Sequence, residues 1–151
     1  MRALILASGL VAGLFTLSGP AKADACGDLI DRVVAGTQAT LVKRTADFAE
    51  LKATDGIGMT LACGQLSAVG VQFRGTSLPE AYFPLFGRAG HATTGIAADV
   101  IAAAGQKARE AAVTTRHSNV DAGNALVTCS LSNSSGSPVT ACAVIDKDDA
   151  R

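Results

Sequence analysis

The chain has 151 residues and a formal net charge of zero, with 13 Lys and Arg against 13 Asp and Glu. A length of this order suits one domain. Hydrophobic residues make up 48% and charged residues 17%, a balance that excludes wholesale disorder and leaves no basic field for nucleic acid or an anionic membrane surface.

Residues 1–25 carry the three parts of a secretory signal peptide in order. Arg2 gives a short positive start, Ala3 to Leu17 is an uncharged apolar run, and Ser18-Gly19-Pro20 ends it. Ala21-Lys22-Ala23 and Ala23-Asp24-Ala25 both have the small-x-small pattern of a cleavage site. The run is too short for an anchoring helix, which takes about 20 apolar residues. Removing residues 1–25 takes two basic residues, Arg2 and Lys22, and one acidic, Asp24, leaving a net charge of −1. The expectation is one disulfide-stapled domain over residues 26–146, a solvated tail at 147–151, and no membrane span in the mature chain. An exported chain rich in Ala and Gly points to a bacterial periplasm or the medium.

Leu29, Ile30, Val33, Val34, Thr37 and Leu41 recur at three- and four-residue steps, which predicts an amphipathic helix over 26–42. Residues 44–53 fit helix or strand. Asp55-Gly56 predicts a turn, and Ile57–Cys63 and Ala68–Phe73 predict strands. Residues 74–92, with Pro79, Pro84, Gly75, Gly87 and Gly90, read as a long irregular connection. A second helix is expected from Thr94 to Val113, then a polar link over 114–123. The runs Ala125–Leu131 and Val139–Ile145 flank Ser132–Pro138 and predict a hairpin that sets Cys129 opposite Cys142 and Val127 opposite Val144. Together these give an α+β fold, an antiparallel sheet of four to five strands with two helices packed on it, in the order α-β(β)β-α-ββ.

Cys26, Cys63, Cys129 and Cys142 all lie beyond the leader, and an even count in an exported chain reads as two disulfides with three possible pairings. The hairpin register favours 129–142. Cys26 shares a helix face with Leu29, Ile30 and Val33, and Cys63 a strand face with Met59 and Leu61, which favours 26–63. No C-x-x-C pair is present, so metal and redox sites lack their spacing, and no cofactor is expected.

Four of the five aromatic residues beyond the leader, Phe73, Tyr82, Phe83 and Phe86, fall between 73 and 86, beside Arg74, Glu80, Arg88 and His91. Long loops are commonly functional, and aromatic residues with Arg are favoured at the centres of binding surfaces. Tyr82, Phe83 and Phe86 are therefore candidate anchors, with Arg88 and His91 for polar specificity, unless the three rings fold inward as a lid over a small core. The stretch Gly87–Gly95 lacks the Lys-Ser/Thr of a nucleotide loop and reads as a turn capped by Thr93 or Thr94. No G-x-S-x-G elbow, H-E-x-x-H pair or EF-hand loop is present, so no catalytic residue is assigned. The expected function is a non-catalytic binding module in the periplasm or medium, contacting another envelope or secreted protein through 79–91. The alternatives are a small-ligand carrier with a pocket under 74–92, and a minor hydrolase using His91 with Glu80 or Tyr82.

Overall fold

The computed structural model describes residues 24–148. All but the last two residues of the expected leader, and the last three of the tail, lie outside the described residues. The order is α1 (Ala25–Thr37), β1 (Thr40–Arg44), β2 (Phe48–Lys52), β3 (Gly58–Cys63), β4 (Ser67–Arg74), α2 (Tyr82–Thr94), α3 (Ala98–Thr115), β5 (His117–Ala122), β6 (Ala125–Ser134) and β7 (Ser137–Asp146). The fold is mixed α and β as expected, with an antiparallel sheet. It holds seven strands and three helices among the described residues, not four to five and two.

The sheet order is β1-β2-β3-β4-β7-β6-β5, antiparallel throughout. Two meanders, β1–β4 and β5–β7, meet where β4 pairs with β7, and the α2–α3 hairpin carries the chain from one to the other. Strand periodicity puts Ala49, Leu51, Met59, Leu61, Val69 and Val71 on one face, continued by Val144, Cys142, Val127 and Cys129, and all are buried. The helices supply the other half of this core through Ile30, Val33, Tyr82, Phe86, Ile101 and Ala108.

Local chemistry accounts for the ends of the elements. Asp24 caps α1, its carboxylate accepting from the Gly27 N–H at 3.0 Å and pairing with Arg44. Gln38, at φ 58°, stops α1 in the left-handed conformation, so Leu41 leaves the helix and enters β1. The expected helix over 26–42 is thus shortened by about a turn. The edge strand β1 is exposed along its length and carries Lys43, Arg44 and a bulge between Leu41 and Lys43, features that discourage pairing with another chain. Asp55-Gly56 forms the expected turn, with both residues at positive φ. The β6–β7 hairpin has the expected register, Cys129 opposite Cys142 and Val127 opposite Val144. Its strands run further than expected, to Ser134 and Ser137, because Ser135 and Gly136 both take positive φ in a two-residue turn.

The largest correction falls on residues 74–92. Residues 82–94 are helical, and the expected capped turn at 87–95 is the second half of α2. Pro84 sits in the first helical turn, where a backbone N–H has no intrahelical acceptor to lose. The glycines mark close contact between helices. A Cβ added at Gly105 of α3 would lie 2.6 Å from the Phe86 ring, and one at Gly87 would overlap the Ala98 carbonyl. Thr93 and Thr94 bond back to the Ala89 and Gly90 carbonyls, each at 2.9 Å. The polar link at 114–123 is also corrected, since Thr114 and Thr115 end α3 and His117–Ala122 form the edge strand β5.

Both disulfides join the pairs expected, Cys26–Cys63 and Cys129–Cys142. The first ties α1 to β3, and the second staples β6 to β7. Loops closed over 37 and 13 residues correspond to about 4 and 3 kcal/mol in the chain-entropy model.

Candidate functional site

The aromatic segment does not stand out from the surface. Tyr82 and Phe86 are fully buried, so the rings fold inward at both positions and offer no area to a partner in this conformation. The Tyr82 hydroxyl donates to the Val71 carbonyl at 2.7 Å, tying α2 to β4. Burial raises the phenol above its ordinary range, while a backbone hydrogen bond at Cys142 and the Arg109 charge act in the opposite direction. Phe83 is half-buried, edge-on to Tyr82 with ring centroids 5.2 Å apart.

Arg88 and His91 are exposed but engaged. Arg88 Nε donates to the Gly36 carbonyl at 3.1 Å, and Arg32 Nε of α1 donates back to the Ala92 carbonyl of α2 at 3.4 Å. Each arginine bonds a carbonyl near the C-terminus of the other helix, where acceptors are left over and the helix dipole favours a cation. His91 Nδ1 meets the Ile96 carbonyl at 2.9 Å and fixes the α2–α3 connection. No hydrogen bond joins His91 to Glu80 or Tyr82. His117, on edge strand β5, meets Thr128 Oγ1 at 3.4 Å. Among the described residues no cluster of His, Cys, Asp or Glu could hold a metal ion.

A recess lined by two arginines lies at the C-terminal end of α3. It is a cleft of about 630 Å³ between the C-terminal half of α3 and the tip of the β6–β7 hairpin. Arg109, Ala112, Val113 and Arg116 recur at helical spacing and form one wall. Leu131, Ser132 and Asn133 of β6 face Pro138, Val139 and Thr140 of β7 in the other, and Gly75 and Thr76 close the end. No lining residue is acidic.

The backbone on the helix side is held in place. Arg116 ends α3 in the left-handed conformation at φ 66°, its N–H donating to the Ala112 carbonyl at 2.7 Å. Its own carbonyl accepts from the Leu131 N–H at 2.9 Å, which locks the helix end to β6. The Arg116 side chain is exposed. Arg109 is half-buried, and its Nε is buried without a hydrogen-bond partner. The two ion pairs among the described residues, Arg44–Asp24 and Lys147–Asp121, involve neither of these arginines. Sequence reasoning had not singled out Arg109 and Arg116. Their separation of seven residues, two helical turns, was the available signal.

The sheet face away from the helices is the other open surface. Its middle carries Thr60, Gly70, Gln72, Thr128, Ala141 and Ala143 around a shallow trough of about 310 Å³ with His117 at the rim, and no Asp, Glu, Lys or Arg lines it. No helix among the described residues is long and apolar enough to cross a membrane. Comparison of the chain with protein-family models, curated proteins and solved structures found no match.

Proposed function

We propose that the protein is an exported, non-catalytic binding domain that takes its ligand in the cleft between α3 and the β6–β7 hairpin. The observation that carries this reading is Arg109 at the cleft, whose buried Nε has no hydrogen-bond partner among the described residues. A buried donor left unpaired costs about 1–3 kcal/mol, a cost that a bound acceptor would recover. The non-catalytic part is supported by the histidines, whose ring nitrogens meet a backbone carbonyl and a threonine hydroxyl instead of a carboxylate or a nucleophile beside a base.

Export is supported by the leader-like residues 1–25 and by two disulfides, which suit an oxidising compartment. Of the two cleavage patterns, the one ending at Ala23 leaves Asp24 on the mature chain, where it caps α1 and pairs with Arg44. Expression of the full chain in a bacterium, followed by fractionation and intact-mass measurement, tests this. The expected product is a periplasmic or secreted chain beginning at Asp24 with no alkylatable thiol. A full-length, reduced chain in the cytoplasm would overturn the export reading.

A further inference from the structure

We infer that the α3–hairpin cleft binds a small organic oxyanion, a carboxylate or phosphate-ester group on an apolar body. This rests on the cleft being the binding site. Four features of the lining converge on that ligand chemistry.

The first is charge: two guanidinium groups and no acid border the space. The second is the unpaired donor, since Arg109 has five N–H groups in a planar fork suited to an oxyanion and its Nε is already withdrawn from water. Third, among the described residues no ion pair or side-chain hydrogen bond ties up either arginine. Finally, Thr76 and Thr140 add hydroxyl groups at the cleft, while Ala112, Val113 and Leu131 supply an apolar wall. A bare inorganic ion would leave that wall unused. The volume of about 630 Å³ lies within the range of about 300–1,000 Å³ usual for small-molecule sites.

The arrangement also explains why the positive charge is kept near the core. Arg109 lies close enough to Tyr82 for its charge to act on the buried phenol. Tyr82 in turn bonds Val71 of the central strand β4. The guanidinium is thus backed by fixed, low-dielectric structure on one side and opens to the cleft on the other, where an oxyanion interacts more strongly than in water.

The test is a titration of the oxidised protein with benzoate, phenyl phosphate and the neutral benzamide, followed by amide chemical shifts. Saturable shifts at Thr76, Val113 and Thr140 with either anion, and none with benzamide, are expected. The better of the two anions identifies which oxyanion group is preferred. Arg109→Met should weaken anion binding at least tenfold, as loss of a charge-assisted bond does. Arg116→Gln, at an exposed side chain whose loss leaves the fold intact, should weaken it several-fold, and Arg116→Lys should restore part of the loss. Benzamide binding as tightly as benzoate would leave the cleft a binding site and overturn the oxyanion assignment. Absence of saturable shifts with all three probes, or anion binding unchanged in the Arg109→Met, Arg116→Gln double variant, would overturn it as well.

Discussion

Alanine at Gly105 and alanine at Gly36 are the same chemical change in two helices, and the structure gives them opposite signs. Each removes the backbone freedom of a glycine and gains up to about 1 kcal/mol of helix propensity. At Gly36 the new Cβ would find its nearest neighbour, the Ala92 methyl, at 3.7 Å, an ordinary contact. At Gly105 it would stand 2.6 and 2.8 Å from two atoms of the Phe86 ring and 3.4 Å from Phe83. Phe86 is fully buried, with no open space to turn into, so relief requires α3 to move away from α2. Overpacking of this kind costs about 1–3 kcal/mol, which leaves Gly105→Ala destabilised by up to about 2 kcal/mol after the propensity gain. For a domain of this size that is a fall in Tm of up to about 8 °C, against a rise of about 1–3 °C for Gly36→Ala. Thermal melts of the oxidised proteins followed by far-UV circular dichroism measure both. A Gly105→Ala variant as stable as Gly36→Ala would refute the close α2–α3 approach on which the helix layer is built.

Tyr82 is the single tyrosine in a chain without tryptophan, so its ionisation can be followed directly by ultraviolet absorbance. Burial raises its pKa in the folded state, whereas the unfolded chain releases the proton near pH 10. Stability that is complete below that pH should therefore fall as pH rises above it, by up to about 1.4 kcal/mol per pH unit. The tyrosinate signal should appear only as the fold is lost, and Tyr82→Phe should remove the alkaline slope at a cost of about 1–2 kcal/mol at neutral pH. Titration of the folded protein near pH 10 would contradict the placement of the ring. Mild reduction followed by alkylation and peptide mass mapping should open Cys26–Cys63 before Cys129–Cys142. Cys63 is half-buried, whereas Cys129 and Cys142 lie under α3, 0% and 2% exposed; the reverse order would contradict that packing. Arg109→Met should raise the melting temperature of the ligand-free protein, since it removes a buried unpaired Nε worth about 1 kcal/mol or more. A lowered one would mean that the protein itself satisfies the guanidinium.

Alternating sequence was legible wherever one face of an element is buried and the other is not. The β6–β7 hairpin shows this best, since Val127, Cys129, Cys142 and Val144 alternate with small or polar residues and a two-residue turn fixes their register. The edge strands were hidden for the converse reason. In β5 the inward face holds Ser118, Val120 and Ala122, one of them polar, and β1 is exposed throughout, so neither carries an alternating apolar run. The helix α2 was obscured because Pro84, Gly87 and Gly90 act as breakers in isolation. In the fold the proline occupies a first turn and the glycines let a second helix and the sheet approach.

The same misreading moved the candidate site. Aromatic residues in a presumed loop suggested a contact surface, but at helical spacing Tyr82 and Phe86 face the sheet and α3. Arg109 and Arg116 sat at the end of an otherwise ordinary helix, and their relation to Thr76, Leu131 and Val139 depends on tertiary structure. The two disulfides were legible because helix and strand faces could be assigned before the pairing was.

Native mass spectrometry of the protein recovered from the export compartment of a bacterial host examines export, oxidation and ligand together. The expected species is a chain beginning at Asp24, lighter by the four hydrogens of two disulfides, and carrying a small anionic molecule that Arg109→Met no longer retains. A chain that retains its leader and its thiols, or a small molecule held equally by the parent and by Arg109→Met, would contradict this expectation.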